Sequence, residues 1–386
     1  MSTQKLYYLD SHIKEFDAKV LGCEQCGDSW EVILDRSAFF PGGGGQECDT
    51  GMIDAVPVLS AKERGGDIVH LCAGEFAVGQ SVHCKLDFET RLRRMQNHSG
   101  EHIFSGLVNS HYGYDNVGFH MGESFMTIDF SGELTWEQLT ELERLANETV
   151  RANIPVNVSF PDEAVLSTLN YRSKLELTEN VRIVEIPGID CCACCAPHVY
   201  STAEVQLVKV LDFQRHRGGV RISLVCGMDA YNDYCLRQNS VTEISRLLSA
   251  KRADISGAVE RVLDESAKKS ERIAALSMEL VRFRAESIPD CDGNIVIFDE
   301  LLDEVAQREL INLLSAKCSG FAALFSGSNE TGYRYVIGSR NVDLRRNSKT
   351  INSLISGRGG GTAEMIRGQA SASAYEISER LRSLCF

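Results

Sequence analysis

The sequence predicts an α+β protein in four parts. These are an N-terminal antiparallel β-barrel, a mixed α/β domain holding a metal site, a long helical linker and a C-terminal α/β domain. Three observations lead there. Short apolar strands alternate with turns over residues 1–87. Two short-spaced pairs of metal-ligand residue types, His98/His102 and Cys194/His198, lie about ninety residues apart, so only folding can close them into one site. Apolar residues recur at three- and four-residue steps from 236 to 286, the period of a helix.

The first part, 1–87, contains the strand-like runs WEVIL, MIDAVPVL, DIVHLC and SVHCKLD. Between them stands FFPGGGGQECDTG, Phe39 to Gly51. Neither strand nor helix propensity explains four consecutive glycines. A plain hairpin loop is one reading. The other is backbone that approaches a ligand closely, with Gln46 presenting an amide at its edge.

In the second part, 88–235, a helix is expected from Arg91 to Leu107 with His98 and His102 inside it. A spacing of four sets both on one face of a turn. SFMTIDFSG reads as a strand, and Leu134 to Pro155 has helical period and stops before the proline. VRIVEIPGID leads as a strand into CCACC. Cys194 and His198 can complete a tetrahedral Cys/His shell, which zinc favours. On composition alone Cys191, Cys192 and Cys195 compete with Cys194.

The linker, 236–286, carries Val241, Ile244, Leu248, Ile255, Val259, Val262, Ile273, Leu276, Leu280 and Phe283 at helical steps, with a break expected near Lys251 to Asp254. Its coiled-coil character points to a homodimer or to a helix folded back on itself. The last part, 287–386, has the strands NIVIF, FAALFSG and YRYVIGS and the glycine-rich GRGGGTAEMIRG.

The chain has 386 residues, of which 43% are apolar, ordinary for a globular protein of two or three domains. Apolar runs are as short as IVIF, Ile295 to Phe298, so no membrane span is expected. The start, MSTQKLYYLDSH, has no signal core, and a cytoplasmic protein is expected. There the 14 cysteines read as thiols and ligands. Cys23 and Cys26 form a C-x-x-C ahead of a strand rather than at the start of a helix, which argues against a redox role. Net charge is −14, against nucleic-acid binding by the whole surface. Locally, Thr331 to Ala370 holds seven Arg/Lys (Arg334, Arg340, Arg345, Arg346, Lys349, Arg358, Arg367) against Asp343 and Glu364, a balance of +5. Arg91, Arg93 and Arg94 precede the histidine pair. Both basic clusters adjoin a glycine-rich or ligand motif, which points to a polyanionic substrate.

With these motifs placed, the chain resembles alanyl-tRNA editing proteins of the AlaX type in their long form. These look like the editing half of alanyl-tRNA synthetase as a free protein, and the likeness covers essentially the whole chain. FFPGGGGQECDTG, NHSGEH and CCAPHVYSTAEV occur in the family's order. The last matches Cys-x-x-x-His followed by Val-x-x-Thr-x-Glu, here Cys194, His198, Val199, Thr202 and Glu204, and so selects Cys194 among the cysteines of CCACC. GRGGG resembles the accessory domain that the synthetases share with DHH-type phosphoesterases, whose Asp-His-His motif is absent here.

The resemblance implies trans-editing of tRNA(Ala) mischarged with serine, with glycine second. One zinc per chain would sit on His98, His102, Cys194 and His198. Gln46 and the amides of Gly42, Gly43, Gly44 and Gly45 would hold the aminoacyl group. Arg345, Arg346, Arg358 and the backbone of Gly359, Gly360 and Gly361 would hold tRNA. Nucleotide and ATP binding are expected as well, although nothing in the chain resembles a class II synthetase core or a segment for amino-acid activation. There are two departures. The family commonly has a hydroxyl residue where Gly42 stands, so another group must read serine. Glu101 precedes the second histidine where a neutral residue is usual, and a carboxylate beside a metal can act as general base.

Two other readings use the same residues. His98-Ser-Gly-Glu101-His102 satisfies the H-x-x-E-H of inverzincin peptidases, with Glu176 or Glu179 as the distant third ligand. That leaves the glycine loop and CCAPHVYSTAEV without a use. A tRNA-binding protein with a structural zinc is the non-enzymatic alternative.

Overall fold

A computed structural model describes residues 2–173 and 181–386. They form two compact units, Met1–Glu243 and Ile244–Phe386.

The first unit opens with a closed antiparallel barrel. Its strands are β2 (Glu15–Cys26), β3 (Ser29–Leu34), β5 (Gly51–Ile53), β6 (Val56–Arg64), β7 (Asp67–Cys72) and β8 (Ser81–Leu86), joined in the order β2-β3-β7-β6-β5-β8. A short parallel pair, β1 (Gln4–Lys5) and β4 (Arg36–Ser37), lies outside the barrel. The period of two is visible in β8, where Val82, Cys84 and Leu86 face inward and their neighbours face solvent. They meet Val20, Val32, Leu34, Ile53 and Ile68 in the barrel core.

Helix α1 (Phe88–Tyr112) follows directly. Asp87 caps it by accepting from the Thr90 N–H, and left-handed Gly113 ends it. From Met95 to Val108 the helix is buried on most of its circumference. Met95, Ile103, Phe104, Leu107 and Val108 share one core with Ile128, Leu139, Leu142 and Ile222. Full burial of each such side chain contributes roughly 1.5–3 kcal/mol. This core supports Gln96, Asn97, His98, Ser99, Glu101, His102 and Ser105, polar residues that α1 also buries.

Around α1 lies the antiparallel sheet β14-β15-β10-β9, made of β9 (Asn116–Met121), β10 (Met126–Phe130), β14 (Val208–His216) and β15 (Gly219–Cys226). Helix α2 (Trp136–Arg151) starts at a capping box of Thr135 and Gln138. A second sheet orders β11 (Asn157–Ser159), β12 (Ile183–Ile186) and β13 (Asp190–Ala193), with the short α3 (Glu163–Leu166) between its first two strands. The helical stretch is α4 (Gly227–Leu247), one turn at Arg252–Asp254, and α5 (Ile255–Ser287), with the break where the sequence pointed.

The second unit is built on the sheet β16-β17-β18-β20-β19: β16 (Ile295–Phe298), β17 (Ala322–Ser328), β18 (Gly332–Gly338), β19 (Gly357–Gly361) and β20 (Met365–Ala370). Only β16 and β17 pair in parallel. One face packs on α6 (Glu304–Leu314) and on Val281 and Ala285 of α5. The other packs on α7 (Leu344–Leu354) and α8 (Ala374–Arg382). The end of α5 is thus core of this unit, which begins ahead of that helix rather than at residue 287. The described residues include no helix long and apolar enough to cross a membrane.

Candidate metal centre

His98 and His102 lie one turn apart on the buried face of α1, and the chain leaving β13 brings Cys194 and His198 to them. One donor atom from each of the four lies within 4.8 Å of all the others. Cys194 Sγ is 3.5 Å from His98 Nε2 and 3.4 Å from His198 Nε2. A tetrahedron with zinc–ligand bonds of about 2.0–2.3 Å has edges of about 3.3–3.8 Å, so the donors fit that metal in number, type and spacing.

Each imidazole is held by its other nitrogen. His98 Nδ1 donates to Gln46 Oε1 at 3.0 Å, His102 Nδ1 to Asp190 Oδ2 at 2.9 Å, and His198 Nδ1 to Ser99 Oγ at 3.0 Å. With every Nδ1 engaged, three Nε2 lone pairs turn to the centre. This outer arrangement fixes tautomer and ring plane in metal sites. Asp190 is itself clamped by Arg172 Nε and Nη2, at 2.7 and 2.8 Å. Gly106, one turn past His102, permits that contact, because a Cβ there would lie 2.3 Å from the Ile189 carbonyl oxygen.

The electrostatics follow from burial and these contacts. Burial opposes charge on Cys194, yet the imidazoles of His98 and His198 hold its thiol well below the usual range. Burial pushes His198 down to about 3. Burial also opposes charge on His102, but the Asp190 hydrogen bond wins and raises it well above the ordinary value. A metal binds thiolate and neutral imidazole, so Cys194 and His198 already have the binding form, while at His102 a metal has to displace the Nε2 proton.

The glycine loop closes one side. Gly43 and Gln46 exchange backbone hydrogen bonds of 2.9 and 3.0 Å across Gly44 and Gly45, whose φ of +61° and +83° only glycine adopts cheaply. A Cβ on Gly44 would touch Cys195 Sγ at 3.6 Å and His98 Cε1 at 3.9 Å. Gln46 is buried, and among the described residues its Nε2 has no hydrogen-bond partner. Because Oε1 accepts from His98, that amide N–H₂ is fixed as an unused donor beside the cluster. Gly42 points elsewhere: at φ +85°, a side chain there would meet the Cys48 backbone nitrogen at 3.1 Å. The atoms nearest such a Cβ are backbone atoms of Cys48 and Gln46.

Glu101 lies at the rim of the cluster. Its Oε1 accepts from Ser105 Oγ at 2.6 Å and from Asn116 Nδ2, and its Oε2 is 3.7 Å from His102 Nε2. The two histidines meet Cys194 and His198 where a peptidase would need a distant glutamate; Glu176 and Glu179 lie outside the described residues. Cys191 pairs with Glu185 in the β12–β13 ladder and Cys195 lies against Gly43. Cys192 joins a smaller potential ligand group with His102 and Asp190. Cys23 and Cys26 end β2, and among the described residues neither belongs to such a group.

The C-terminal candidates separate. Arg358 is in register with Gln369, and Gln369 with Arg334, so the three share one sheet face, as does Arg367 two residues along. They line or adjoin a cleft of about 710 Å³ with Ser326 and Thr331. Arg345 and Arg346 are on α7, which packs on the opposite face. Gly359, Gly360 and Gly361 form the exposed edge strand β19.

Sequence reasoning missed Asp190, Arg172, Ser99, Asp49 and Asn116. Asp190, Asp49 and Ser99 stood inside quoted motifs, and for Asp190 the available signal was a carboxylate that can pair with a candidate ligand histidine.

Residues 181–223 match the family described as threonyl and alanyl tRNA synthetase second additional domain. The chain is 28% identical to alanyl-tRNA editing protein AlaX-L of Pyrococcus horikoshii, over 98% of both chains. It is 25% identical to alanyl-tRNA editing protein Aarsd1 of Danio rerio, over 94% of this chain and 93% of that one. It is 29% identical to the alanine–tRNA ligase of Methanothermobacter thermautotrophicus over 92% of this chain, but spans only 41% of that enzyme.

Proposed function

Because the chain is a relative of the long AlaX-type alanyl-tRNA editing proteins, we propose that it hydrolyses the ester of mischarged tRNA(Ala), removing serine first and glycine second. One observation supports this above others: the buried Gln46 amide, an unused donor fixed by His98, beside a Cys/His₃ cluster. Zinc is the proposed metal, held by His98, His102, Cys194 and His198. When bound it supplies positive charge that orients the aminoacyl group or acidifies a water.

The chain's residues do the rest. The Gln46 amide donates to the acyl oxygen or to the serine hydroxyl. The glycine loop excludes bulk behind it without side chains of its own. Water adds to the acyl carbon, the ester C–O bond breaks, and the products are the free amino acid and the terminal ribose hydroxyl. Glu101, tied through Oε1 by Ser105 and Asn116, is the proposed proton acceptor. An aminoacyl ester is activated, so positioning accounts for much of the rate. Arg358 and its neighbours are the proposed tRNA contact, and a cytoplasmic location suits that substrate. Exposed Val262, Leu263, Ile273 and Leu276 on α5 support a homodimer, which sedimentation across concentration tests.

The four-donor shell also favours a second reading, a purely structural metal, because four protein ligands leave no open position. One assay separates them. Purified protein should deacylate seryl-tRNA(Ala) and leave alanyl-tRNA(Ala) largely intact, and lose that activity in chelator; casein cleavage is the peptidase control. Cys194→Ala should lose the metal while Cys191→Ala and Cys195→Ala keep it. Equal rates on both esters sink the editing reading.

A further inference from the structure

Among the described residues Arg91 is the largest fully buried side chain, with 0% exposure, and it is not one of the four candidate metal ligands. It stands on α1 two turns before His98. Its Nε donates to both Asp49 oxygens at 2.9 and 3.0 Å, and its Nη2 also contacts Asp49. Nη2 reaches the Ala38 carbonyl at 2.6 Å and Nη1 the Ser11 carbonyl at 3.0 Å. Burying a guanidinium is expensive, and this one spends all three of its nitrogens on joining chain segments.

Those segments are the ones around the candidate metal centre. Asp49 closes the glycine loop: its carboxylate accepts from the Phe40 N–H at 2.6 Å, and its own N–H donates to the Phe40 carbonyl at 2.9 Å. Within that loop Gln46 holds His98. Ser11 donates from Oγ to the backbone carbonyl of His198 at 2.7 Å. One cation therefore ties α1, which carries two ligands, to the loop that orients the first and to the segment that anchors the fourth.

We propose that Arg91 and Asp49 are positioning residues: the pair sets the glycine loop against α1, so that Gln46 fixes His98 and keeps its free amide aimed at the cluster, and the Ser11 arm steadies His198. This rests on the cluster being the metal and editing site argued above, but its test needs no editing activity. Zn²⁺ affinity of the full chain is measured by competition with a chromophoric chelator. Asp49→Asn should weaken it about tenfold, the low end for outer partners of metal ligands. In a Gln46→Ala background the same change should cost less than a further twofold, because the route to His98 is already cut. Native affinity in Asp49→Asn, or losses that simply multiply in the double variant, overturns the proposal; a pair that only stabilises the fold acts independently of Gln46. Should Asp49→Asn not fold, Ser11→Ala decides, since it cuts one arm and leaves the ion pair intact. Weakened Zn²⁺ at unchanged melting temperature supports positioning, and native affinity overturns it. A wild-type chain that binds Zn²⁺ and never deacylates seryl-tRNA(Ala) sinks the editing reading alone.

Discussion

Two imidazoles of the first unit are kept neutral by burial for different ends. His198 is turned to the other three residues of the candidate metal centre, whereas His70 lies in the barrel wall between Ser37 Oγ, at 2.8 Å, and the Val32 carbonyl, at 3.0 Å. Burial pushes His70 down to about 4 from 6.5. The unfolded chain therefore takes up a proton at higher pH than the native one. Stability from neutral His70 is complete above pH 6.5 and is lost as pH falls from 6.5 to 4, by about 3 kcal/mol. Both tryptophans, Trp30 and Trp136, belong to this unit, so their fluorescence follows its unfolding in urea. His70→Gln should flatten that acid limb; an unchanged slope would place the titration elsewhere. At this scale the sequence was partly readable. His98/His102 and Cys194/His198 show themselves because a spacing of four is local chemistry. Asp190 and Ser99 do not, since their use depends on which strand and which loop α1 meets about ninety residues away.

The glycine loop shows what an element adds to its residues. Four glycines in a row announce close approach, but not which glycine approaches what. The structure divides the roles by torsion and neighbour. Gly44 borders the cluster, Gly42 lies on backbone, and Gly45 lies under a ring, where a Cβ would be 2.5 Å from Phe119 Cδ1. Phe119 in turn packs on His98 at 5.1 Å between centroids. Gly45→Ala should displace the turn and lower seryl-tRNA(Ala) deacylation roughly a hundredfold, the cost of an ångström of misplacement, with metal content retained. Gly65→Ala is the matched control. Its φ is +62° and nothing lies within 4 Å of the added carbon, so it should cost about 1–2 kcal/mol of stability and no activity. Equal activity loss in both would mean that the loop acts through global stability. Helical period made α4 and α5 legible down to their break, because that pattern is a property of the segment itself. It did not tell that Val281 and Ala285 are core while Leu263 and Ile273 stay exposed, which the packing of α6 decides.

For the whole molecule, charge and topology have to be read together. A chain of net charge −14 holds a polyanion only where acids are cleared from one surface. Counting residues gave a basic stretch from 331 to 370 but grouped Arg345 and Arg346 with Arg358. Strand alternation regroups them, because the register β18-β20-β19 sets Arg334, Arg358 and Arg367 on one face, and α7 carries Arg345 and Arg346 on the other. The three sheet arginines are exposed, and none has a carboxylate partner among the described residues. Beside them β19 is almost bare of side chains, so a phosphate backbone can come close to the sheet edge. Each phosphate neutralised releases counterions and steepens the salt dependence of binding, by about 0.7–0.9 in slope. Replacing Arg334, Arg358 and Arg367 together by alanine should weaken binding of the full chain to tRNA(Ala) and flatten log Kd against log salt by about 2–3. The double replacement of Arg345 and Arg346 should change that slope by less than 1, though it removes charge from the same stretch of sequence. Salt titrations of both variants side by side decide between the two faces: a slope lost only with Arg345 and Arg346 would move the tRNA contact to α7.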